Sequence, residues 1–234
     1  MGKRLIQQRR GRGTNTYRSP GHRFRGEVKH TLMETSGMVM DLVHCPGHSA
    51  PLMEVSYITG EKRLAFAPET IKVGDSIVVG PGAEVKEGNV LSLREIPEGT
   101  LIHNIELRPG DGGKMVRASG TFAKVVARSE EGVRVALPSK KEKLFLPACR
   151  AAIGILAGAG RTDKPFLKAG TRHKKMKARN KLYPKVCGVS MNAVDHPFGG
   201  SSSHIKGRPT QSPRNAPPGR KVGKIAPRRT GRKK

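Results

Sequence analysis

The positive charge of this 234-residue chain is confined to its two ends. Residues 1–30 carry nine Lys and Arg against one acid, and residues 161–234 carry 21 against two. Residues 31–160 carry fifteen of each sign and are neutral. The charged ends have too few large apolar residues to offset the entropy of ordering the chain. We therefore expect a folded middle between two extensions that stay disordered until a polyanion neutralises them.

The composition excludes several classes of protein. With 29 glycines and 17 prolines, the chain is not a helical bundle or a coiled coil. No apolar run approaches the roughly 20 residues of a membrane span, and the basic N-terminus lacks the apolar core of a signal peptide. The three cysteines, Cys45, Cys149 and Cys187, are odd in number and widely spaced. They do not indicate a disulfide framework and are consistent with a reducing compartment. The net charge of +27 favours nucleic acid as the partner, ahead of a membrane surface.

The neutral middle predicts short strands separated by turns. Apolar or alternating runs are bounded by glycine or proline. These runs are Gly37–His44, Leu52–Thr59, Arg63–Ala67, Ser76–Val79, Thr121–Arg128, Val133–Leu137 and Leu144–Leu146. The apolar run Cys149–Ala159 is ambiguous, but Gly154 and Gly158 favour a buried strand over a helix. The pattern predicts two small antiparallel β-barrels in tandem, divided near Gly88–Gly99.

Both extensions carry residues suited to contacts with RNA. Five Lys and Arg occur within the nine residues of His173–Lys181, and each one that neutralises a phosphate releases counterions. In the N-terminal extension, glycines between arginines let the backbone approach RNA, and Tyr17 and Phe24 are candidates to stack on bases. The candidate contacts are Arg9, Arg10, Arg12, Arg18, Arg23, Arg172, His173, Lys174, Lys175, Lys177, Arg179, Asn180 and Lys181. The alternative for these runs is a solvated tail or a localisation signal.

The segment NAVDHPFGG, residues 192–200, places a carboxylate beside an imidazole. His196 is a candidate donor to RNA and also a candidate general base. Adjacent side chains diverge in an extended chain, and no nucleophile is fixed beside them, so an RNA-structural role is favoured over catalysis. Two glycines permit close passage of the backbone beside RNA. The candidate RNA contacts in this segment are Asn192, Asp195, His196, Gly199 and Gly200.

Two other patterns are weaker. His44, Cys45 and His48 offer three zinc ligands, but a fourth is missing, so we expect no metal. The glycine-rich run Gly110–Gly113 lacks the Gly-Lys-Ser/Thr ending of a phosphate-binding loop, which argues against nucleotide hydrolysis. No cofactor is expected.

Five stretches of the sequence are distinctive. They read QRRGRGTNTYRSPGHR, HNIELRPGDGGKMVRASGT, RTDKPFLKAG, TRHKKMKARNKLYPKVCGVSMNAVDHPFGG and RNAPPGRK. Together they resemble the second protein of the large ribosomal subunit, in its archaeal form, over essentially the whole chain. The most specific part is Gly188–Gly200. Ala193 and Phe198 stand where bacterial members commonly have Pro and His, which fits the archaeal form and puts in doubt any role that needs a second imidazole.

The resemblance implies an all-β fold. The family has an oligonucleotide-binding-like barrel followed by an SH3-like barrel, with long basic irregular extensions that thread into ribosomal RNA. By position, we expect the extensions at 1–35 and 166–234 and the barrels at 36–88 and 89–165. The further RNA contacts expected in the resembling stretches are Gly112, Gly113, Lys114, Arg161, Lys164, Arg214, Arg220 and Lys221.

The resemblance also implies a structural role. The family binds ribosomal RNA (rRNA) near the peptidyl-transferase region, supports peptide-bond formation without catalysing it, and helps the subunits associate. We therefore expect large-subunit rRNA, neighbouring ribosomal proteins and the small subunit as partners, in the cytoplasmic ribosome, with no membrane or small-molecule substrate. Two alternatives stay open: a non-specific nucleic-acid compactor, and an RNA-processing enzyme that uses Asp195 and His196.

Overall fold

A computed structural model describes residues 2–201 and 210–228. Met1, residues 202–209 and residues 229–234 lie outside the described residues, and the last two of these ranges belong to the predicted C-terminal extension. The chain divides into two compact units. One is Gly21–Leu167, and the other combines Met1–Pro20 with Lys168–Lys234.

The unit Gly21–Leu167 is built on one continuous sheet. Its strands are β1 Thr35–Val43, β2 Leu52–Tyr57, β3 Lys62–Phe66, β4 Ser76–Val79, β5 Val90–Ser92, β6 Leu101–His103, β7 Ala123–Ser129, β8 Gly132–Ala136, β9 Glu142–Phe145 and β10 Arg150–Ile153. Their order across the sheet is β3-β2-β1-β4-β5-β10-β6-β7-β8-β9. Neighbours are antiparallel, except that β4 and β5 are parallel where Val79 meets Val90.

The sheet encloses two main apolar cores, because alternate residues of its strands point inward. Val39, Val55 and Ile77 lie in the first core, between β1, β2 and β4. Ile102 and Val135 lie in the second core, formed by β5 to β10. Each of these side chains is almost fully buried, which contributes about 1.5–3 kcal/mol per residue relative to exposure.

The predicted strands exist, and most of their ends agree with the structure to within two residues. The run Cys149–Ala159 contains β10, which ends earlier, at Ile153. The short strands β5 and β6 are additional. Strand β5 falls inside Gly88–Gly99, where we expected the barrels to divide, and it joins β4 to β10. The barrel boundaries therefore stay a prediction.

A buried ion pair joins strand β10 to the loop after β6. Glu106 is fully buried and accepts hydrogen bonds from the Arg150 Nη2 at 2.8 Å and the Gly112 N–H at 3.2 Å. Arg150 also donates to the Thr31 carbonyl at 2.6 Å. Burial raises the pKa of Glu106, but the hydrogen bonds and charge of Arg150 outweigh it and hold that pKa below its ordinary value. The Glu106–Arg150 pair thus holds together the loop after β6, strand β10 and the segment that contains Thr31.

Two buried histidines lie in the same region. The His30 Nε2 is 2.7 Å from the Asn104 carbonyl oxygen, and the His103 Nδ1 is 2.9 Å from the Gly154 carbonyl oxygen. Each ring therefore donates to a carbonyl as a neutral imidazole. Burial lowers the pKa of both histidines to about 4, because a charged ring would lose its hydration.

We expect the free energy of unfolding to fall as the pH decreases from 6.5 to 4. In this window each histidine takes up a proton when the chain unfolds but stays neutral when it is folded. Around pH 5 each contributes a slope of about 1.4 kcal/mol per pH unit. Urea denaturation across this range measures the slope, and His103→Leu should reduce it by one histidine's share. An unchanged slope in that variant would show that His103 does not titrate this way.

The described residues of the second unit have little regular structure. It contains helix α1 Ile6–Gly11, helix α2 Ala169–Ala178 and a parallel pair of two-residue strands, β11 Gln211–Ser212 and β12 Lys224–Ile225. The extensions were expected to be irregular, and α2 is the main departure. Its sequence has no proline and is rich in Ala, Lys and Arg, which favour helix. In the described part of the chain, no helix is both long and apolar enough to cross a membrane.

Candidate nucleic-acid interface

Helix α2 carries the densest group of predicted contacts. Arg172, His173, Lys174 and Lys177 are exposed, and Lys175 is half-buried. Because each residue of an α-helix is rotated by about 100° from the one before, these side chains point to all sides of α2. None of the residues of α2 is buried. A ten-residue helix with cations on all sides and no apolar face is marginal in water. Phosphates on several sides of α2 would neutralise it and stabilise it.

The C-terminal end of α2 also holds the N-terminal extension. Asn180 has a φ of +50°, and the Lys181 N–H donates to the Met176 carbonyl at 2.8 Å, as in a Schellman motif. The Asn180 side-chain amide donates to the carbonyls of Thr16 and Arg18 at 2.7 and 2.5 Å. Asn180 was expected to contact RNA. The structure instead gives its amide an internal role that holds the backbone of Arg18 at the C-terminal end of α2.

The segment Asn192–Gly200 forms a compact turn, whereas we expected an extended chain. The Asn192 carbonyl accepts hydrogen bonds from the N–H groups of Asp195 and His196 at 2.9 and 3.2 Å. Gly199 packs against the same carbonyl so closely that any side chain on it would overlap Asn192. Gly200 is exposed, with a φ of +106° that favours glycine. The two glycines are therefore required by the conformation of the turn, whether or not RNA is bound.

His196 is held as a neutral hydrogen-bond donor. Its ring packs on Gly188, where there is no room for a side chain, and lies edge-on to Phe198, with ring centroids 5.2 Å apart. The Phe198 N–H donates to the His196 Nδ1 at 3.0 Å, which leaves the proton on Nε2. Partial burial lowers the pKa of His196. Because Nδ1 already accepts a hydrogen bond, the ring is arranged to donate from Nε2 and not to act as a base.

Asp195 does not orient His196. Its carboxylate lies 3.8 Å from the Lys3 Nζ, and the Lys3 N–H donates to the Val194 carbonyl at 2.8 Å. The ion pair is largely exposed and contributes little stability. Its geometric effect is to attach the start of the chain to the turn that holds His196.

Gly112 and Gly113 lie inside the protein, contrary to the expectation that they approach RNA. A side chain on Gly112 would meet the side chain of Lys29 at 2.8 Å, and one on Gly113 would overlap Asn104. Both glycines are buried, with positive φ values, so they make room for the chain's own packing. Lys114, the next residue, is exposed and remains available to a phosphate.

A surface groove of about 320 Å³ holds cations that sequence reasoning missed. The N-terminal segment meets β3 along it, through a bridge between Val28 and Leu64. Residues far apart in sequence thereby share one wall, which no local pattern indicates. The groove is lined by Arg25, Glu27, Lys29, Glu54, Lys62, Arg63 and Leu64.

The remaining predicted contacts are spread over both units. Arg161 donates from Nε to the Ser119 Oγ at 2.9 Å, and Lys221 donates from Nζ to the Arg214 carbonyl at 2.6 Å. Arg179 is half-buried. The exposed members are Arg9, Arg10, Arg12, Arg18, Arg23, Arg161, Lys164, Lys181, Asn192, Arg214, Arg220 and Lys221.

The zinc candidate is not assembled. Cys45 is fully buried in an apolar cluster, and its Sγ lies 3.1 Å from the His48 Nδ1. His44, the residue before it, is exposed. Among the described residues, no three His, Cys, Asp or Glu side chains are grouped to hold a metal ion.

Two family models match consecutive parts of the chain. The model for "Ribosomal Proteins L2, RNA binding N-terminal domain" covers residues 2–79, and that for "Ribosomal Proteins L2, C-terminal domain" covers residues 86–220. With the strand content, these matches confirm the predicted fold class: all-β, with an oligonucleotide-binding-like barrel followed by an SH3-like barrel.

Relatives of nearly equal length match from end to end. The large ribosomal subunit protein uL2 of Methanococcus vannielii is 53% identical over the whole of both chains. Those of Haloarcula marismortui and Haloquadratum walsbyi are 52% and 51% identical over 99% of this chain and 98% and 97% of their own. The chain belongs to the L2 family of large-subunit ribosomal proteins, in its archaeal form.

Proposed function

We propose that this protein is a structural, rRNA-binding constituent of the large ribosomal subunit, and that it acts within the cytoplasmic ribosome. One observation carries the proposal. The exposed cations of α2 and of the N-terminal extension are brought together by Asn180 in one unit, whose described residues form no apolar core cluster. In water the cations of this unit repel one another, whereas an array of phosphates neutralises them and stabilises the unit.

The binding mechanism is electrostatic. Cations on α2 replace the counterions condensed on rRNA, so affinity falls steeply with salt. The extensions fill gaps between RNA helices, and the folded unit adds Lys114 and the groove that contains Arg25 and Arg63. We place the extensions at 1–35 and 166–234 and the barrels at 36–88 and 89–165. The break between the two family models, from residue 79 to 86, supports a division near the end of the first range.

We also propose that Gly188–Gly200 lies close to the peptidyl-transferase region, and that the protein contacts neighbouring ribosomal proteins and supports association with the small subunit. The support is the resemblance of this segment to the family. The turn presents a neutral His196 whose Nε2–H suits an acceptor on phosphate, ribose or base. That role is structural, since Asp195 pairs with Lys3 and the His196 Nδ1 accepts a hydrogen bond, so neither residue of the turn is an activated base.

His196→Ala should therefore leave the folded unit Gly21–Leu167 unaffected. We expect its free energy of unfolding to change by less than about 0.5 kcal/mol, and defects to appear only in the assembled subunit. Urea denaturation and sucrose-gradient analysis of subunits measure the two effects. If the free protein instead cleaved RNA or an acyl substrate, and His196→Ala lost that turnover while RNA binding stayed intact, the enzymatic alternative would replace this account.

Competition binding tests the proposed RNA specificity. At matched salt, we expect the full chain to prefer one region of large-subunit rRNA over duplex DNA of equal length by roughly a hundredfold or more. Equal affinity for both would favour the non-specific compactor instead.

A further inference from the structure

A small cavity lies in the unit Gly21–Leu167, where the first core meets strands β6 and β10. Its volume is about 10 Å³, close to the space that the centre of one water molecule needs. Met53 and Ile77 of the first core line the cavity, and so do His103 of β6 and the following Asn104. The cavity is therefore mostly apolar, with a few polar side chains in its wall.

His103 contributes a buried hydrogen-bond acceptor. Its Nδ1 lies 2.9 Å from the Gly154 carbonyl oxygen, and a carbonyl can only accept, so Nδ1 carries the proton of the ring. The Nε2 of the neutral ring is then a bare acceptor. The residue is 1% exposed, and no group of the described residues donates to this Nε2.

Asn104 contributes a second buried acceptor. The residue is 2% exposed, and its side-chain Oδ1 also receives no hydrogen bond from the described residues. Its backbone is fixed, because its N–H donates to the Val116 carbonyl at 2.9 Å and its own carbonyl lies 2.7 Å from the His30 Nε2. A buried acceptor without a donor destabilises the folded state, so two of them beside one cavity indicate a bound donor.

The two acceptors and the size of the cavity define the ligand. It must offer two donors, occupy little more than the volume of one water molecule, and carry no charge into a mostly apolar wall. Metal ions in proteins take about four or more ligands, whereas His103 and Asn104 supply two. An anion would be repelled by both acceptors. Water, with two O–H groups and no charge, meets each requirement.

We propose that this cavity binds one water molecule, whose two O–H groups donate to the His103 Nε2 and the Asn104 Oδ1. The water completes the hydrogen bonding at the end of β6 and fills the space between that strand and the first core. The site belongs to the folded unit and is independent of the rRNA contacts, so the inference goes beyond the proposed function.

NMR spectroscopy of the free full-length chain tests the proposal. The protons on Cε1 and Cδ2 of His103 flank Nε2 and should show cross-peaks to water. For a water molecule that stays bound longer than the protein tumbles, the laboratory-frame and rotating-frame Overhauser effects have opposite signs. We expect opposite signs at His103. The exposed His173 of α2, in contact only with rapidly exchanging water, should not show this pattern. The absence of a water cross-peak at His103, or equal signs, would overturn the inference.

Two variants identify the source of the signal. Tyr57 also lines the cavity, and its hydroxyl proton exchanges with water, so Tyr57→Phe should leave the His103 cross-peaks unchanged. Their loss would assign them to the hydroxyl and contradict the proposal. His103→Leu should weaken the water cross-peaks of the Met53 and Ile77 methyl groups at least about fivefold, because a small apolar cavity stays dry. Undiminished cross-peaks in folded His103→Leu would show that His103 does not hold the water. If urea denaturation shows that this variant is unfolded, the wild-type and Tyr57→Phe spectra decide.

Electron microscopy of large subunits purified from cells gives a second test. At a resolution that shows other buried waters, we expect one density peak about 3 Å from both the His103 Nε2 and the Asn104 Oδ1. No peak there, or a peak with about four ligands as for a metal ion, would contradict the proposal. If the protein were missing from these subunits, the proposed function would fail, while the NMR result would still decide the water site.

Discussion

Replacing three exposed cations of the α2 region with glutamine should weaken rRNA binding about a hundredfold at 0.1 M salt. The change is Lys174→Gln, Lys177→Gln and Lys181→Gln in the full chain. Each lost phosphate contact also lowers the steepness of log K against log salt by about 0.7–0.9, so the slope should fall by two to three. Filter binding to large-subunit rRNA over a series of salt concentrations measures both quantities.

The matched control removes the same charge from the folded unit. Lys72, Lys86 and Lys141 are also exposed but lie outside the proposed interface. Their triple replacement by glutamine should leave the slope nearly unchanged. If both triple variants showed the same loss of affinity and the same change in the slope of log K against log salt, binding would depend on net charge alone. The lysines of the α2 region would then contribute no more than other exposed lysines.

Glu106→Gln should have the largest effect on stability, a loss of about 3–5 kcal/mol. The Arg150 side chain is only 16% exposed, and without the Glu106 carboxylate its charge stays largely buried and unpaired. The neutral amide also loses acceptor capacity for the N–H groups of Gly110 and Gly112, which close the loop after β6. Urea denaturation of the full chain at pH 7 measures the change.

Glu142→Gln is the matched substitution at a surface pair. Glu142 lies 3.9 Å from Arg134, and more than half of each side chain is exposed. Solvent screens this pair, so the variant should lose less than about 0.5 kcal/mol. Similar losses in the two variants would show that the Glu106–Arg150 pair does not hold the loop as the geometry indicates.

The strands of the first half could be predicted because their burial alternates. Along β2 the inward residues Val55 and Tyr57 flank the outward Ser56, and this period of two is visible in the sequence. Strands β5 and β6 have three residues each, too few to show a period. They are strands because their neighbours supply hydrogen bonds, which is a property of the tertiary fold.

The basic composition of the interface could also be predicted, but the roles of single residues could not. The amide of Asn180 is occupied by Thr16, 164 positions away in sequence. Gly113 looked available to RNA, yet it is packed against Asn104. The tautomer of His196 depends on a turn that the pattern did not reveal. The composition of a chain indicates the class of partner that it binds, here a polyanion. The role of a single residue depends on which other residues the fold brings beside it.

Crosslinking of the protein to RNA in living cells tests the central claim most directly. The attached RNA is sequenced, and the crosslinked residues are mapped by mass spectrometry. We expect reads concentrated in one region of large-subunit rRNA, joined to residues within 1–30 and 171–234. Reads scattered over many transcripts, or joined to DNA, would contradict a ribosomal role and leave general nucleic-acid binding in its place.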